Sequence, residues 1–470
     1  MVNYSSDPDY GSRFDFYVEK EDEFYNYKFL SEAESEEGKC FFETLMKYSM
    51  MGEIDEDRVM KLIDTHQSNI ANYNCPVLVA ILRTITTVSD TFKNTTIALA
   101  SHIMKYDPDH LFRKDSRGCT AFYSLFWMAR MERHNQHGAA KVEAILGTIF
   151  DLYKLCPQAL TETFKCRTTP LACLMNLKVL SCCSVQFIKD DLYPFLKYVS
   201  QICPDAFLQC NEDCCTPLHC LCIRLPLNNN VRYMTIWKTL LTTVLECNPK
   251  ATEIVTPNYE YEILPLHVAA EWGWYASTPP SIGVIQAIHH ANPKACITQG
   301  YSLDFPITAC EDLENDPDEI IPFLVDSYIE GYDRNACLPE DSKERVKSDG
   351  NALHACFYFK FLYERSRVLL TTLPPNHPMT KERDEEGFTP FHKLLCRHAT
   401  FESWHELIWH QLVALFVERH HEAIHLRTST GLHTIEYILS RDRYGGRDML
   451  GTIYLIIRSD PAQFISNMNV

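Results

Sequence analysis

The sequence predicts an all-α fold in which short helical pairs repeat along the chain and stack on one another. Two observations point there. A tetrapeptide recurs at Thr216-Pro217-Leu218-His219, Leu264-Pro265-Leu266-His267 and Thr389-Pro390-Phe391-His392, and Asn351-Ala352-Leu353-His354 keeps its apolar residue and histidine. A Pro-x-Ala step lies upstream, at Pro157, Pro204, Pro249 and Pro293. The two markers are 13 residues apart at 157→170, 204→217 and 293→306, and 16 apart at 249→265. Two markers at a held separation are much harder to obtain by chance than one.

Weaker copies of the tetrapeptide follow at Thr120-Ala121-Phe122-Tyr123, Thr169-Pro170-Leu171-Ala172, Phe305-Pro306-Ile307-Thr308 and His433-Thr434-Ile435-Glu436, with Cys75-Pro76-Val77-Leu78 as a degenerate first copy. Their second positions fall at 76, 121, 170, 217, 265, 306, 352, 390 and 434, so the spacing runs from 38 to 49 residues. Residues 76–470 therefore read as an array of about eight to nine units. Residues 39–75 read as an N-terminal helical cap. Residues 1–38 hold 11 acidic and 3 basic residues and nine aromatics, a composition expected of a disordered tail that stays solvated or docks through its rings.

Each part of one unit has a physical reason. Thr in front of a helix accepts from an orphan first-turn amide. Pro at the first helical position loses no hydrogen bond, because its amide would be unpaired anyway. The Leu or Phe after it enters the core. The second helix places Ile236, Trp237, Leu240, Leu241, Val244 and Leu245 on one face at helical spacing, or Leu192, Phe195, Leu196, Val199 and Ile202 in the preceding unit. The Asn-Pro or Cys-Pro step ends it, since the residue before proline avoids the helical region. A polar extended connection leads on. Neither helix can bury its apolar face alone, so the units must stack.

Thr216-Pro217-Leu218-His219, the run Leu266-His267-Val268-Ala269-Ala270 and the lead-in Asp384-Glu385-Glu386-Gly387-Phe388 resemble the ankyrin repeat. The resemblance covers roughly residues 70–470 and is strongest in the units of Pro217, Pro265 and Pro390. It implies an ankyrin-like solenoid in which His219, His267, His354 and His392 bond across to the neighbouring unit. The period departs from the family's ~33 residues, and a HEAT-like array, with about 40–47 residues per unit, is the alternative. The resemblance also implies that connection tips carry specificity. The candidate protein-binding residues are then Arg117, Glu212, Asp213, Tyr259, Glu260, Tyr301, Asp304, Glu385 and Glu386. Trp272 and Trp274, which flank a glycine before a proline-rich insertion, join them, because exposed tryptophan is a frequent interface anchor.

Composition bounds the function. A net charge of −18 opposes a phosphate backbone and argues against general nucleic-acid binding. The 20 cysteines, in a chain whose start shows no secretory leader, read as reduced thiols in cytosol or nucleus. The apolar run Ile453–Ile457 is too short for a membrane span. His405 and His410 are five apart, where a zinc-protease helix needs four. Cys210, Cys214, Cys215, His219, Cys220 and Cys222 are dense in thiols but lack the C-x₂-C knuckles of structural zinc sites. No phosphate-cradling or nucleophile-elbow motif occurs, and no cofactor is expected. The expected function is a non-catalytic scaffold for a protein partner with a basic patch. The alternatives are an enzyme whose Cys/His site assembles in space, a zinc-binding structural protein and a plain structural spacer.

Overall fold

A computed structural model of the chain describes residues 36–49, 54–73, 75–84, 91–115, 118–132, 138–164, 168–175, 177–180, 182–211, 215–223, 231–259, 261–271, 282–300, 305–309, 319–338, 350–358, 363–396, 405–440, 448–459 and 461. The chain divides into two compact units, Met1–Leu174 with Lys178–Cys203, and Met175–Leu177 with Pro204–Val470.

In the first unit the helices are α1 (Glu36–Ser49), α2 (Glu56–Thr65), α3 (Val77–Thr84), α4 (Phe92–Ile103), α5 (Ala121–Glu132) and α6 (Gly138–Leu155). Helices α1, α3 and α5 pack in one row, α2, α4 and α6 in a second, and each helix also packs on its pair partner. The helix α1 takes in the last three residues of the stretch read as a tail, and α1 with α2 forms a pair like those that follow. The rows close on aromatic side chains. Phe122 stacks on Tyr153 with centroids 3.9 Å apart, and Phe150 on Phe195 at 4.4 Å. Two short helices, α7 (Pro170–Leu174) and α8 (Leu177–Leu180), lead to a continuous helical run over 185–202, α9. Ser184 caps it by accepting from the Phe187 amide at 3.0 Å. A π-turn at Ile188–Leu192 precedes Pro194. Proline has no amide to donate and its ring crowds the carbonyl four residues back, and a wider turn accommodates both.

The second unit holds α10 (Pro217–Ile223), α11 (Val231–Cys247), β1 (Thr256–Tyr259), β2 (Tyr261–Ile263), α12 (Pro265–Glu271), α13 (Ile282–Ala291), α14 (Pro306–Ala309), α15 (Ile320–Ala336), α16 (Ala352–Tyr358), α17 (Tyr363–Thr372), α18 (Pro390–Cys396), α19 (His405–Arg419), α20 (His421–Ile424), α21 (Thr434–Ser440) and α22 (Asp448–Ser459). The short helices α10, α12, α14, α16, α18 and α21 pack in succession. Of the long ones, α11 packs on α13, α15 on α17, α17 on α19 and α19 on α22, and the turn Pro293–Cys296 joins α13 to α15.

Helices start where the tetrapeptide places them, at Ala121, Pro170, Pro217, Pro265, Pro306, Ala352, Pro390 and Thr434; the first begins at Val77, one residue after Pro76. Thr120 and Thr169 each accept a first-turn amide at 3.2 Å, and Thr216 and Thr389 do so at 3.4 Å. The residue after the start is buried at Phe122, Leu171, Leu218, Leu266, Ile307, Leu353 and Phe391, and half-buried at Ile435 in the last copy.

The Pro-x-Ala step does more than end a helix. It forms the 3-10 turns Pro157–Thr161, Pro204–Phe207, Pro249–Glu253 and Pro293–Cys296, each hiding its alanine. The preceding residues, Cys156, Asn248 and Asn292, have left the helical region, with ψ of 72°, 84° and 82°.

The connection before Pro265 departs from the all-helical expectation. There β1 and β2 form a two-stranded antiparallel ladder, Thr256 opposite Ile263. This connection carries the longest spacing between the two markers, which leaves room for a hairpin. Otherwise the described regular structure is helical. Among the described residues no helix is long and apolar enough to cross a membrane.

Candidate interaction surface

The connections end in a turn that several units share. Asp384 donates its amide to the Phe388 carbonyl at 3.0 Å, and its Oδ1 accepts the Phe388 amide at 2.8 Å. Gly387 N donates to the Asp384 carbonyl at 2.9 Å, with φ of +78°, a left-handed conformation that suits glycine. The same closure recurs at Asp115 with Cys119, Asn211 with Cys215 and Thr428 with Leu432. Gly118 and Gly431 repeat the left-handed position, at +79° and +83°. The signal was present in the sequence, as an oxygen-bearing side chain five residues before the tetrapeptide. Only Asp384 stood in a motif quoted above.

One tip is described in full. Glu385 and Glu386 are exposed on it. Lys393 Nζ lies 2.9 Å from Asp384 Oδ2 and 2.6 Å from Glu386 Oε2, and its ammonium sits over the Phe388 ring. Arg383 donates to the Gly387 carbonyl and to the Arg427 carbonyl of the next tip, both at 2.6 Å. Ser429 Oγ returns a bond to the Glu386 carbonyl at 2.8 Å. The two tips therefore brace each other. Among the described residues Glu385 has no hydrogen-bond or ion-pair partner.

Of the other candidate contact residues, Tyr259 lies in β1 opposite Tyr261. Arg117, Glu212, Asp213, Glu260, Trp272, Trp274, Tyr301 and Asp304 lie outside the described residues. The structure thus brings together one pair of them, Glu385 and Glu386.

Behind the tips, His219, His267 and His354 join one helical pair to the next. His219 Nε2 donates to the Ile263 carbonyl at 3.1 Å, His267 Nε2 to Thr298 at 3.0 Å and His354 Nε2 to Phe388 at 3.0 Å. A carbonyl can only accept, so Nε2 carries the proton and Nδ1 is the acceptor. In His219, Nδ1 takes the Thr216 hydroxyl at 2.8 Å; in His354 it takes the Asn351 amide at 3.2 Å. His392 keeps the threonine contact, with Thr389 Oγ1 at 2.8 Å, but its Nε2 finds no acceptor in hydrogen-bonding geometry, although the Leu426 carbonyl favours its charged form. Burial pushes the imidazoles of His219, His354 and His392 down to about 4. These rings are neutral at neutral pH.

A second set of joints lies at the residues just ahead of the short helical turns that follow the long helices. Asn248 Nδ2 donates to the Pro204 carbonyl and Asn292 Nδ2 to Thr252, both at 3.0 Å. His377 donates to Asp333 Oδ1 at 2.8 Å, and His420 to the Leu370 carbonyl at 3.1 Å. Within a pair, Trp237 Nε1 donates to the Leu221 carbonyl at 3.0 Å, and Trp409 Nε1 to Leu394 at 3.2 Å. Each acceptor is four residues into its short helix. Sequence reasoning assigned the Asn residues to helix ending and Trp237 to the apolar face, and missed their donor roles.

The thiol-rich stretch is committed to packing. Cys215, Cys220 and Cys222 are buried, and both His219 nitrogens are engaged. Burial pushes the Cys222 thiol far up, which disfavours the thiolate a metal needs. Cys214 lies outside the described residues. Among the described residues no group of three or more His, Cys, Asp or Glu side chains is placed to hold a metal ion. On α19, Trp409 is fully buried between the positions of His405 and His410. No protein-family model matches the sequence. No curated protein matches it significantly.

Proposed function

We propose that this chain is a non-catalytic protein-interaction scaffold of ankyrin-like repeats, acting in cytosol or nucleus and presenting its connection tips to a protein partner with a basic patch. The observation that carries the reading is the tip at 384–388. Arg383, Lys393 and Ser429 hold it rigid, and it offers Glu385 to solvent without a counter-charge. A fixed, unpaired surface carboxylate steers a cationic partner without first breaking an internal pair. The buried histidines support a scaffold, because they are consumed as joints between helical pairs rather than gathered around one reacting centre. The net charge of −18 favours a basic protein surface over nucleic acid.

The test compares affinity capture with mass spectrometry for the full chain and for a Glu385→Lys, Glu386→Lys double variant. The expected result is a specific partner lost from the variant, whose association with the full chain slows as salt rises. Identical capture by both proteins, with a salt-insensitive rate, would sink the reading.

A further inference from the structure

The run Arg427-Thr428-Ser429 places a hydroxyl two residues after a guanidinium, in the connection between α20 and α21. Ser429 is exposed there, inside the turn closed between Thr428 and Leu432. The other two hydroxyls of this tip serve each other, with Thr428 Oγ1 and Thr430 Oγ1 2.9 Å apart. Ser429 Oγ instead crosses to the acidic tip and donates to the Glu386 carbonyl at 2.8 Å. It is thus an accessible hydroxyl on a surface turn that also holds two tips together.

The charges around it are of one kind. Arg383 clasps the same two stretches of backbone, one arm on the Gly387 carbonyl and the other on the Arg427 carbonyl. Arg427 Nη1 donates to the Gly431 carbonyl of its own turn at 3.2 Å. Both arginines are exposed, and among the described residues neither pairs with a carboxylate. The neighbouring Lys381 and Lys393 do, with Glu422 and with Asp384 and Glu386. A Cβ on Gly387 would lie 3.1 Å from Ser429 Oγ, so the hydroxyl touches the residue whose carbonyl Arg383 holds. Two guanidiniums satisfied only by neutral carbonyls therefore flank one exposed hydroxyl.

We propose that Ser429 is a phosphorylation site for a serine/threonine kinase that selects arginine beside its target, and that Arg383 and Arg427 receive the phosphate. In the transfer Ser429 Oγ attacks the γ-phosphorus of ATP, the bond from that phosphorus to the bridging oxygen breaks, ADP leaves, and the hydroxyl proton passes to the kinase's base. The esterified Oγ has no proton left for the Glu386 carbonyl. The phosphate brings a charge of about −1.5 to −2 and three strong acceptors, and a guanidinium binds such oxygens more strongly than a neutral carbonyl. Arg383 turns from the Gly387 carbonyl to the phosphate. Glu386 and Gly387 then both lose their donors, and the acidic turn at 384–388 loosens. The switch depends on the brace between the tips and not on the partner proposed for Glu385.

The test treats the full chain with a panel of arginine-directed serine/threonine kinases and magnesium ATP, and maps the phosphate by peptide mass spectrometry. Phosphate is expected on Ser429 and absent from that peptide in Ser429→Ala. Modification of Thr430 alone, or of neither residue by any kinase of the panel, would overturn the site. In the phosphorylated chain, phosphorus NMR should place the second ionisation of the phosphate below its ordinary value of about 6, and Arg383→Gln and Arg427→Gln should each raise it again. An ordinary value in the unsubstituted chain would overturn the assignment of the two arginines. Hydrogen exchange of the Gly387 and Phe388 amides should quicken by at least about threefold on phosphorylation, and by more than in Ser429→Ala. Unchanged or slower exchange would overturn the release of the acidic turn.

Discussion

His219 Nε2 donates to the carbonyl of Ile263, 44 residues further on, at 3.1 Å, while its Nδ1 accepts from Thr216 within its own tetrapeptide. The side chain thus fixes the start of α10 and ties that helix to the next connection. Substituting alanine removes both bonds and leaves a void in a fully buried position. His219→Ala is expected to cost about 2–4 kcal/mol, as a lost buried hydrogen bond plus a cavity. Urea denaturation checks this. A paired Thr216→Ala variant should couple with it by more than about 0.5 kcal/mol in a double-mutant cycle, because the two side chains act as one relay. Simple additivity would mean that the histidine and the cap work independently.

The same histidines set a pH dependence. Their folded values, about 4, lie below the ordinary 6.5 of the unfolded chain. Between those values the unfolded chain binds protons that the folded one refuses. Stability is therefore complete above pH 6.5, falls as pH drops toward about 4, and levels below that as the folded rings protonate. Each fully neutral buried ring contributes at most about 1.4 kcal/mol per pH unit in that window. Urea midpoints between pH 7.5 and 5, above the main carboxylate range, should fall steadily for wild type. The slope should be shallower for His354→Asn. A flat profile would place these rings in a far more polar setting than their burial implies.

The parts of the fold legible in the sequence are those set by neighbours in the chain. Thr216 next to Pro217 specifies a helix start wherever it sits, and α10 begins there. Phe391 and Leu218 enter the core as their tetrapeptide position dictates. Asn248 was legible only as the residue before a proline, because its bond to Pro204 depends on where the previous turn lies in space. The hairpin at Thr256–Ile263 escaped for a similar reason: its residues alternate weakly, and pairing comes from the length of the connection. At the candidate surface, Glu385 was legible as polar and close to a turn. That Lys393 pairs with Asp384 and Glu386 but leaves Glu385 alone was not, since it depends on side-chain directions around a left-handed glycine.

Trp237 and Trp409 each satisfy a carbonyl in a short helix that lacks the length to pair all its own. Phenylalanine keeps most of the apolar area and removes the donor. Trp237→Phe and Trp409→Phe are each expected to cost about 1–3 kcal/mol, from an unsatisfied buried carbonyl and a smaller ring. Urea midpoints for both variants would check this. A loss under about 0.5 kcal/mol in both would mean that water takes over the carbonyl and that the indoles serve as bulk alone.

Gly387 and Gly431 hold nearly the same backbone conformation, φ of +78° and +83°, in two adjacent tips, but their surroundings differ. A Cβ on Gly387 would lie 2.4 Å from Ser429 Cβ, whereas a Cβ on Gly431 meets nothing within 4 Å. Both alanine variants carry the left-handed backbone cost of about 1–2 kcal/mol. Only Gly387→Ala must also push Ser429 away, breaking the bond from Ser429 Oγ to the Glu386 carbonyl that braces the acidic tip. Gly387→Ala should therefore be the more destabilising by about 1 kcal/mol or more, the scale of one lost hydrogen bond. It should also weaken partner binding through Glu385, while Gly431→Ala leaves binding nearly intact. Thermal melts and binding of the two variants side by side make the comparison, and equal losses in both would show that the tips do not brace each other.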